Sequence, residues 1–162
     1  MEQIAAWSEF NVAMVGATAA LAGLVIVAAS VNIGDIIKAE SLTARLAAGI
    51  ASLVLALAGS AIGLVPGIAP VPYGAILIVL ALCAAAFQVQ ATRRIFQHAD
   101  TAHGSRLGKS AVGFIAPLAY VIGGALLTAG STAGLMWFAA GCVIAIVAAL
   151  LVSWIVLVEV LR

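Results

Sequence analysis

Long stretches without an ionisable side chain dominate this sequence and restrict what it can fold into. A helix needs about 20 mostly apolar residues to cross a hydrocarbon core of roughly 30 Å. Five runs free of Asp, Glu, Lys, Arg and His reach that length, and their richness in Ala and Gly favours helices over the short alternating strands of a barrel. We therefore expect an all-α integral membrane protein, a five-helix bundle. The expected spans are 11–33, 46–65, 73–92, 111–130 and 135–157.

The composition excludes other classes of protein. Hydrophobic residues make up 65% of the 162 and charged residues 8%, against about 45–50% and about 25% in soluble domains. Seven basic and six acidic side chains are too few to solvate the surface of a soluble domain of this size. The net charge of +1 argues against nucleic-acid binding. We expect a single transmembrane domain over 1–162 that is not an enzyme.

The basic residues orient the predicted bundle. If the chain crosses five times, every Lys and Arg falls on one side, because the connections 66–72 and 131–134 carry no charge. By the positive-inside rule that side is the cytoplasm, so the N-terminus is expected outside and the C-terminus inside. The alternative is four spans, which would place Arg162 on the opposite side. The basic residues are Lys38, Arg45, Arg93, Arg94, Arg106, Lys109 and Arg162.

The first span has two distinct faces at 100° per residue. One face is weakly polar, and the other, rotated from it by roughly 140–160°, is made of small residues. Small residues let helix backbones approach closely in lipid, so we expect this small face to pack on a neighbouring helix. The polar face is then expected to turn toward a cavity, a pore or another subunit. The polar face comprises Asn11, Thr18 and Asn32, and the small face comprises Gly16, Gly23 and Ser30.

This polar face carries the leading hypothesis for function. Copies of the helix around a symmetry axis would line a passive pore, with Asn11 at the outer mouth and Thr18 deeper. Val25 would form an apolar constriction and Asn32 the inner mouth. The alternative is ordinary packing, in which Thr18 bonds to its own helix backbone and both Asn side chains simply lie at helix ends.

Two further features predict helix packing. Gly59, Gly63 and Gly67 are four residues apart, a spacing typical of close helix contact in membranes. Pro117 is expected to kink the fourth span because it removes a backbone N–H bond and clashes with the preceding turn.

No catalytic residue, cofactor or metal site is expected. The predicted spans contain no ionisable residue, which argues against ion-coupled transport, and no phosphate-binding, dinucleotide or nucleophile-elbow motif is present. His98, Asp100 and His103 match no zinc signature. Glu159 and Arg162, three residues apart, are expected to form an ion pair at the inner side.

Two segments suggest an internal repeat. Residues 45–65 and 106–126 both begin with Arg-Leu, carry a Gly near the far end and precede a span that contains Cys. This pattern predicts one leading helix followed by two helical hairpins. The alternative is that Ala/Gly/Leu-rich helices are alike by composition alone.

The segment 17–33, ATAALAGLVIVAASVNI, resembles the first helix of small multi-span proteins of bacterial inner membranes. The resemblance carries no catalytic or binding motif and implies only the bacterial cytoplasmic membrane as location. We expect a homo-oligomer in the lipid bilayer that acts as a passive channel or pore-like transport protein. The alternative is a non-catalytic accessory or scaffolding subunit of a larger complex, with another membrane protein as partner.

Overall fold

A computed structural model describes residues 2–38, 40–97 and 106–160, and all of the regular structure in these ranges is helical. The all-α class expected from the sequence is therefore confirmed. Two helices are single turns and five are long. The short helices are α1 (Glu2–Ala5) and α3 (Ile33–Ile36), and the long ones are α2 (Ser8–Val31), α4 (Glu40–Gly63), α5 (Pro70–Gln97), α6 (Arg106–Thr128) and α7 (Ala133–Val160).

Four of the long helices, α2, α4, α5 and α7, are long and apolar enough to cross a membrane. These four indicate a multi-pass membrane protein. In α6 the apolar stretch among the described residues is shorter and covers Gly113–Thr128. At their charged ends α4, α5, α6 and α7 extend beyond the predicted spans, because charges limit the apolar run but do not stop helical hydrogen bonding; α5, for instance, continues through Arg93 and Arg94. Helices α2, α4 and α6 end two residues before the predicted spans do.

One tight turn connects α4 to α5 and another connects α6 to α7, and each contains a glycine with positive φ. After α4, Val65 accepts a bond from the N–H of Ile68, and Gly67 at φ 73° occupies the third position of this turn, behind Pro66. After α6, Ser131 donates to Leu126 and Gly130 has φ 81°, which is a Schellman ending. The predicted turn between the last two spans is therefore present.

Helices α4, α5, α6 and α7 form a closed four-helix bundle. Each packs on the next in chain order, and α7 returns to α4. Neighbours run antiparallel: the early part of α5 meets the late part of α6 at Gly74 and Gly124. Helix α2 lies outside this ring and packs mainly on α4. The arrangement is one outer helix and two hairpins, α4–α5 and α6–α7.

Glycines bring the helices of the bundle into close contact. A Cβ atom on Gly74 would lie 2.5 Å from the carbonyl oxygen of Gly124, and one on Gly123 would lie 2.8 Å from that of Gly134. In lipid, helix association depends on such van der Waals contact between backbones, because apolar burial adds little. Gly74 and Gly124 join α5 to α6, and Gly123 and Gly134 join α6 to α7.

The two ends of the bundle differ in charge. The end that contains the turns after α4 and α6, together with α1, is called the turn end. At the opposite end the amide of Gln88 in α5 donates to Ala48 in α4. This contact places Arg45, a turn before Ala48, near Arg93 and Arg94, just over a turn beyond Gln88. We call this the basic end.

We predict that Gly74→Ala destabilises the bundle by about 1–3 kcal/mol, the usual cost of overpacking. The added Cβ would meet the Gly124 carbonyl and the backbone N–H of Thr128, and neither can move without shifting a helix. Gly34→Ala is the control, because a Cβ there meets nothing within 4 Å. Unfolding in mixed micelles measures both, and equal stabilities for the two variants would contradict the close α5–α6 contact.

Candidate functional site

Within one chain, the two faces of α2 lie the opposite way from the expectation: the polar face packs on a neighbouring helix, and the face of small residues points outward. Asn11, Thr18 and Val25 are buried on the side that packs on α4, with 1%, 0% and 8% of their surfaces exposed. The small residues Gly16 and Gly23 instead point outward, where a Cβ would meet nothing within 4 Å. The physical reason is that polar side chains are costly in lipid, so they turn toward protein.

The polar side chains of the weakly polar face of α2 make the following contacts. Asn11 lies over Gly63 of α4, where its amide nitrogen is 2.7 Å from the position of a Cβ atom. Its Oδ1 has no hydrogen-bond partner in the described part of the chain. Thr18 donates to the carbonyl of Met14 at 2.6 Å, so its own helix satisfies its hydroxyl. At the far end, half-buried Asn32 donates to Ala28 at 3.1 Å.

An aromatic and polar group fills the turn end of the bundle. Phe138 of α7 makes edge contacts with Phe10, Tyr73 and Tyr120 at centroid distances of 6.3, 5.9 and 5.5 Å. Gly59 of α4 makes room for this group, since a Cβ there would lie 3.1 Å from Phe138 and 3.4 Å from Tyr120. We call Tyr73, Tyr120, Phe138 and the neighbouring Cys142 the turn-end cluster.

Hydrogen bonds tie the polar atoms of the turn-end cluster to α4. Tyr73 donates its hydroxyl to the carbonyl of Gly59 at 3.1 Å. The thiol of Cys142 lies 3.0 Å from the hydroxyl of Tyr120 and 3.8 Å from that of Ser60. Hydroxyls and a thiol that bond to one another and to backbone are typical of interhelical packing.

A second polar contact lies toward the basic end. Gln88 of α5 donates to the Ala48 carbonyl and to the Ser52 hydroxyl, both on α4 and both at 3.3 Å. Its amide oxygen fits against Gly113 of α6 so closely that a Cβ on Gly113 would overlap it. The neutral side chain of Gln88 thus contacts both α4 and α6 from its position on α5. Its contact on α6, Gly113, lies four residues before Pro117.

The outward side of α2 is a regularly spaced, exposed surface. Its residues alternate at spacings of three and four, the heptad pattern of helices that cross left-handedly. Five of the six are Ala, Gly or Ser. We call this surface the α2 outer face, and its members are Ala13, Gly16, Ala20, Gly23, Val27 and Ser30.

The other predicted site residues are placed as follows. Gly59 and Gly63 lie at close contacts of α4, but Gly67 lies in the turn with open space around it, because its role there is the positive φ. Pro117 is buried within α6, which continues through it. The expected Glu159–Arg162 pair lies outside the described side chains.

No group of three His, Cys, Asp or Glu residues that could hold a metal ion occurs in the described part of the chain. The segment with His98, Asp100 and His103 lies outside it. Comparisons of the chain with models of protein families, with curated proteins and with solved structures give no match.

Three buried polar residues of the bundle interior were not predicted as site residues. Tyr73, Tyr120 and Ser52 received no functional role from the sequence, although each is a polar residue within a long apolar run. That rarity was the available signal. Their partners lie on other helices, which the pattern of a single helix does not reveal.

We predict that Gln88→Leu lowers the free energy of unfolding by about 1 kcal/mol, the usual scale of a hydrogen bond between membrane helices. The variant loses the bonds to Ala48 and Ser52 but keeps a similar volume beside Gly113. Gln90→Leu is the matched control, because Gln90 is exposed on the same helix. Unfolding in mixed micelles measures both, and equal losses would show that Gln88 does not join the helices.

Proposed function

We propose that this protein is a non-catalytic accessory or scaffolding subunit that assembles with other transmembrane helices through the α2 outer face. The observation that carries the proposal is the structure of that face. Gly16 and Gly23 have open space above them, and small residues recur there at heptad spacing. Small residues let a second helix approach closely in lipid, where packing drives association.

The position of α2 supports this role. It lies outside the closed bundle and packs mainly on α4, so most of its circumference is available to another helix. The buried polar side chains of α2, Asn11 and Thr18, already lie on the α4 side. A second copy of this chain is the simplest occupant, which would give a homo-oligomer, and another membrane protein is the alternative.

We further propose that the chain crosses the cytoplasmic membrane of a bacterium five times, with the N-terminus outside. The antiparallel position of α6 between α5 and α7 supports a fifth crossing, because its 23 residues extend for about 35 Å. The described residues Lys38, Arg45, Arg93 and Arg94 lie at or near the basic end. The positive-inside rule places that end in the cytoplasm.

A passive channel is the second candidate. Neutral polar groups lie inside the α4–α7 bundle at two levels, the turn-end cluster and Gln88, and these favour a neutral pathway over an ion-coupled one. A pore lined by Asn11, Thr18 and Val25 finds no support, because these side chains are buried within one chain.

The topology predicts which positions a membrane-impermeant thiol reagent can reach from outside intact cells. Thr132→Cys, in the turn after α6, should be labelled, and Arg93→Cys, at the basic end, should not. The unsubstituted protein is the blank, because Cys83 and Cys142 lie within the helices. Labelling of Arg93→Cys, or of neither variant, would contradict five spans with the N-terminus outside.

The assembly role predicts that Gly16→Leu combined with Gly23→Leu weakens association at least about tenfold, or ~1.4 kcal/mol. Leucine side chains would separate the backbones that the small residues let approach. Energy transfer between labelled copies in liposomes, and recovery of a stoichiometric partner in mild detergent, measure the effect. Ala17→Leu, an exposed position on the flank of the same helix, is the control.

Two results would contradict the proposal. One is a wild-type protein that is monomeric and recovers no partner. The other is equal weakening by Ala17→Leu, which would show that bulk anywhere on α2 matters. Solute flux from the same liposomes that persists in the double variant would favour the channel instead.

A further inference from the structure

Helix α6 contains Pro117, and the half of the helix after this proline is held by backbone contacts on two sides. A Cβ on Gly124 would lie 2.6 Å from the carbonyl oxygen of Gly74 in α5. A Cβ on Gly123 would lie 2.8 Å from that of Gly134 in α7. Backbone atoms move only together with their helix, so this half of α6 is fixed against both neighbours.

The half before Pro117 meets α5 through a side chain. Around the position of a Cβ on Gly113, the nearest heavy atoms are the oxygen, carbon and nitrogen of the Gln88 amide, and the nitrogen lies at 3.3 Å. A side-chain amide turns about its own single bonds without moving a helix. The contact between this half of α6 and α5 is therefore adjustable.

Pro117 also changes the hydrogen bonding of this half. Proline has no backbone N–H, so the carbonyl of Gly113, four residues earlier, loses the donor that a helix normally supplies. Residues four apart lie on one side of a helix, and Pro117 is buried on that side. In a membrane bundle, side chains of neighbouring helices are a usual source of a replacement donor. Gln88 carries such a donor and lies against Gly113.

Gln88 now bonds to a carbonyl for which other donors compete. Its amide nitrogen donates to the Ala48 carbonyl at 3.3 Å, and the hydroxyl of Ser52 donates to the same carbonyl at 3.1 Å. The backbone N–H of Ser52 reaches it too, as part of α4. A carbonyl oxygen has only two lone pairs. Moving Gln88 away therefore leaves no acceptor on Ala48 unsatisfied.

We infer that α6 has a hinge at Pro117 and that Gln88 holds the preceding half, residues 106–116, in either of two positions. In the first, seen in the structure, the amide of Gln88 bonds to α4. In the second, α6 bends at Pro117, the Gly113 carbonyl tilts out of the helix, and the amide donates to it. Prolines are the usual sites of sharp helix bends, and hinges are usually built from a few such residues. The inference is independent of what α2 associates with.

Pulsed electron resonance between two spin labels tests the hinge in the full-length protein in liposomes. Cys83→Ala and Cys142→Ser remove the native thiols, so that only the introduced cysteines react. We expect two distances for a label pair before Pro117, because the hinge moves it, and one distance for a pair after it. The first pair is Lys109→Cys with Leu151→Cys, and the second is Ala125→Cys with Ala140→Cys.

Two variants should lower the population of the bent position relative to the straight one at least about threefold, or ~0.6 kcal/mol, the effect of one hydrogen bond between membrane helices. Gln88→Leu leaves the tilted Gly113 carbonyl without a donor, whereas the acceptors on α4 keep theirs. Pro117→Ala restores the helical bond and favours the straight form. Gln90→Leu, at an exposed position of α5, is the matched control and should leave the populations unchanged. An unchanged distance for the second pair confirms that each variant is folded.

Three outcomes would overturn the inference. A single distance for the first pair without further substitution would show that α6 is rigid at Pro117. Populations that respond to Pro117→Ala but equally little to Gln88→Leu and Gln90→Leu would show a hinge that Gln88 does not hold. Two distances for both pairs would show that α6 moves as a whole, without a hinge.

Discussion

The structure depends on the high cost of leaving a polar group in hydrocarbon without a partner. No water is present there, so polar groups bond within the protein, and among the described side chains buried Asn11 Oδ1 is the exception. Thr18 bonds to its own helix, Tyr73 to the carbonyl of Gly59, and Gln88 to Ala48 and Ser52. These bonds determine which side of each helix turns inward, and glycines at the contact points let the helices come close enough to form them.

The same constraint explains what could be predicted from sequence. The approximate positions of the four long apolar helices follow from apolar runs, because length and the absence of charge are properties of one segment. The ends are less predictable: α5 continues through Arg94 to Gln97, since exposed arginines end an apolar run without ending a helix. Gly67 was predicted both in the connection 66–72 and as the last member of a glycine series for helix contact. It lies in the turn, because Pro66 and Gly67 together suit a turn, and its surroundings are open.

The sequence of α2 alone does not determine which of its faces packs on the rest of the chain. A weakly polar helix face can either line a pore or pack against the interior of its own chain. Both arrangements require the same spacing of polar residues along the helix. Which one applies depends on Gly63, 52 residues after Asn11, whose missing side chain leaves the space that Asn11 occupies. The sites with the most polar contacts combine residues from three or four helices, so no single-helix pattern predicts them.

The proposed repeat agrees with two contacts across the bundle. At the offset that aligns the Arg-Leu of residues 45–65 with that of 106–126, Ser52 is equivalent to Gly113, and Gln88 contacts both. Gly59 is equivalent to Tyr120, and these two face each other. A duplicated hairpin with parallel repeats would bring equivalent positions together near one axis. Duplication of α4–α5 stays a prediction, and similarity by composition alone is its alternative.

The neutrality of the buried polar groups has an electrical consequence. A membrane potential does work on charge, about 2.3 kcal/mol per elementary charge for each 100 mV. Gln88, Ser52, Ser60 and the turn-end cluster carry no formal charge in the bundle interior, so moving them along the field costs or releases almost nothing. A displacement that moves only these groups is therefore insensitive to voltage.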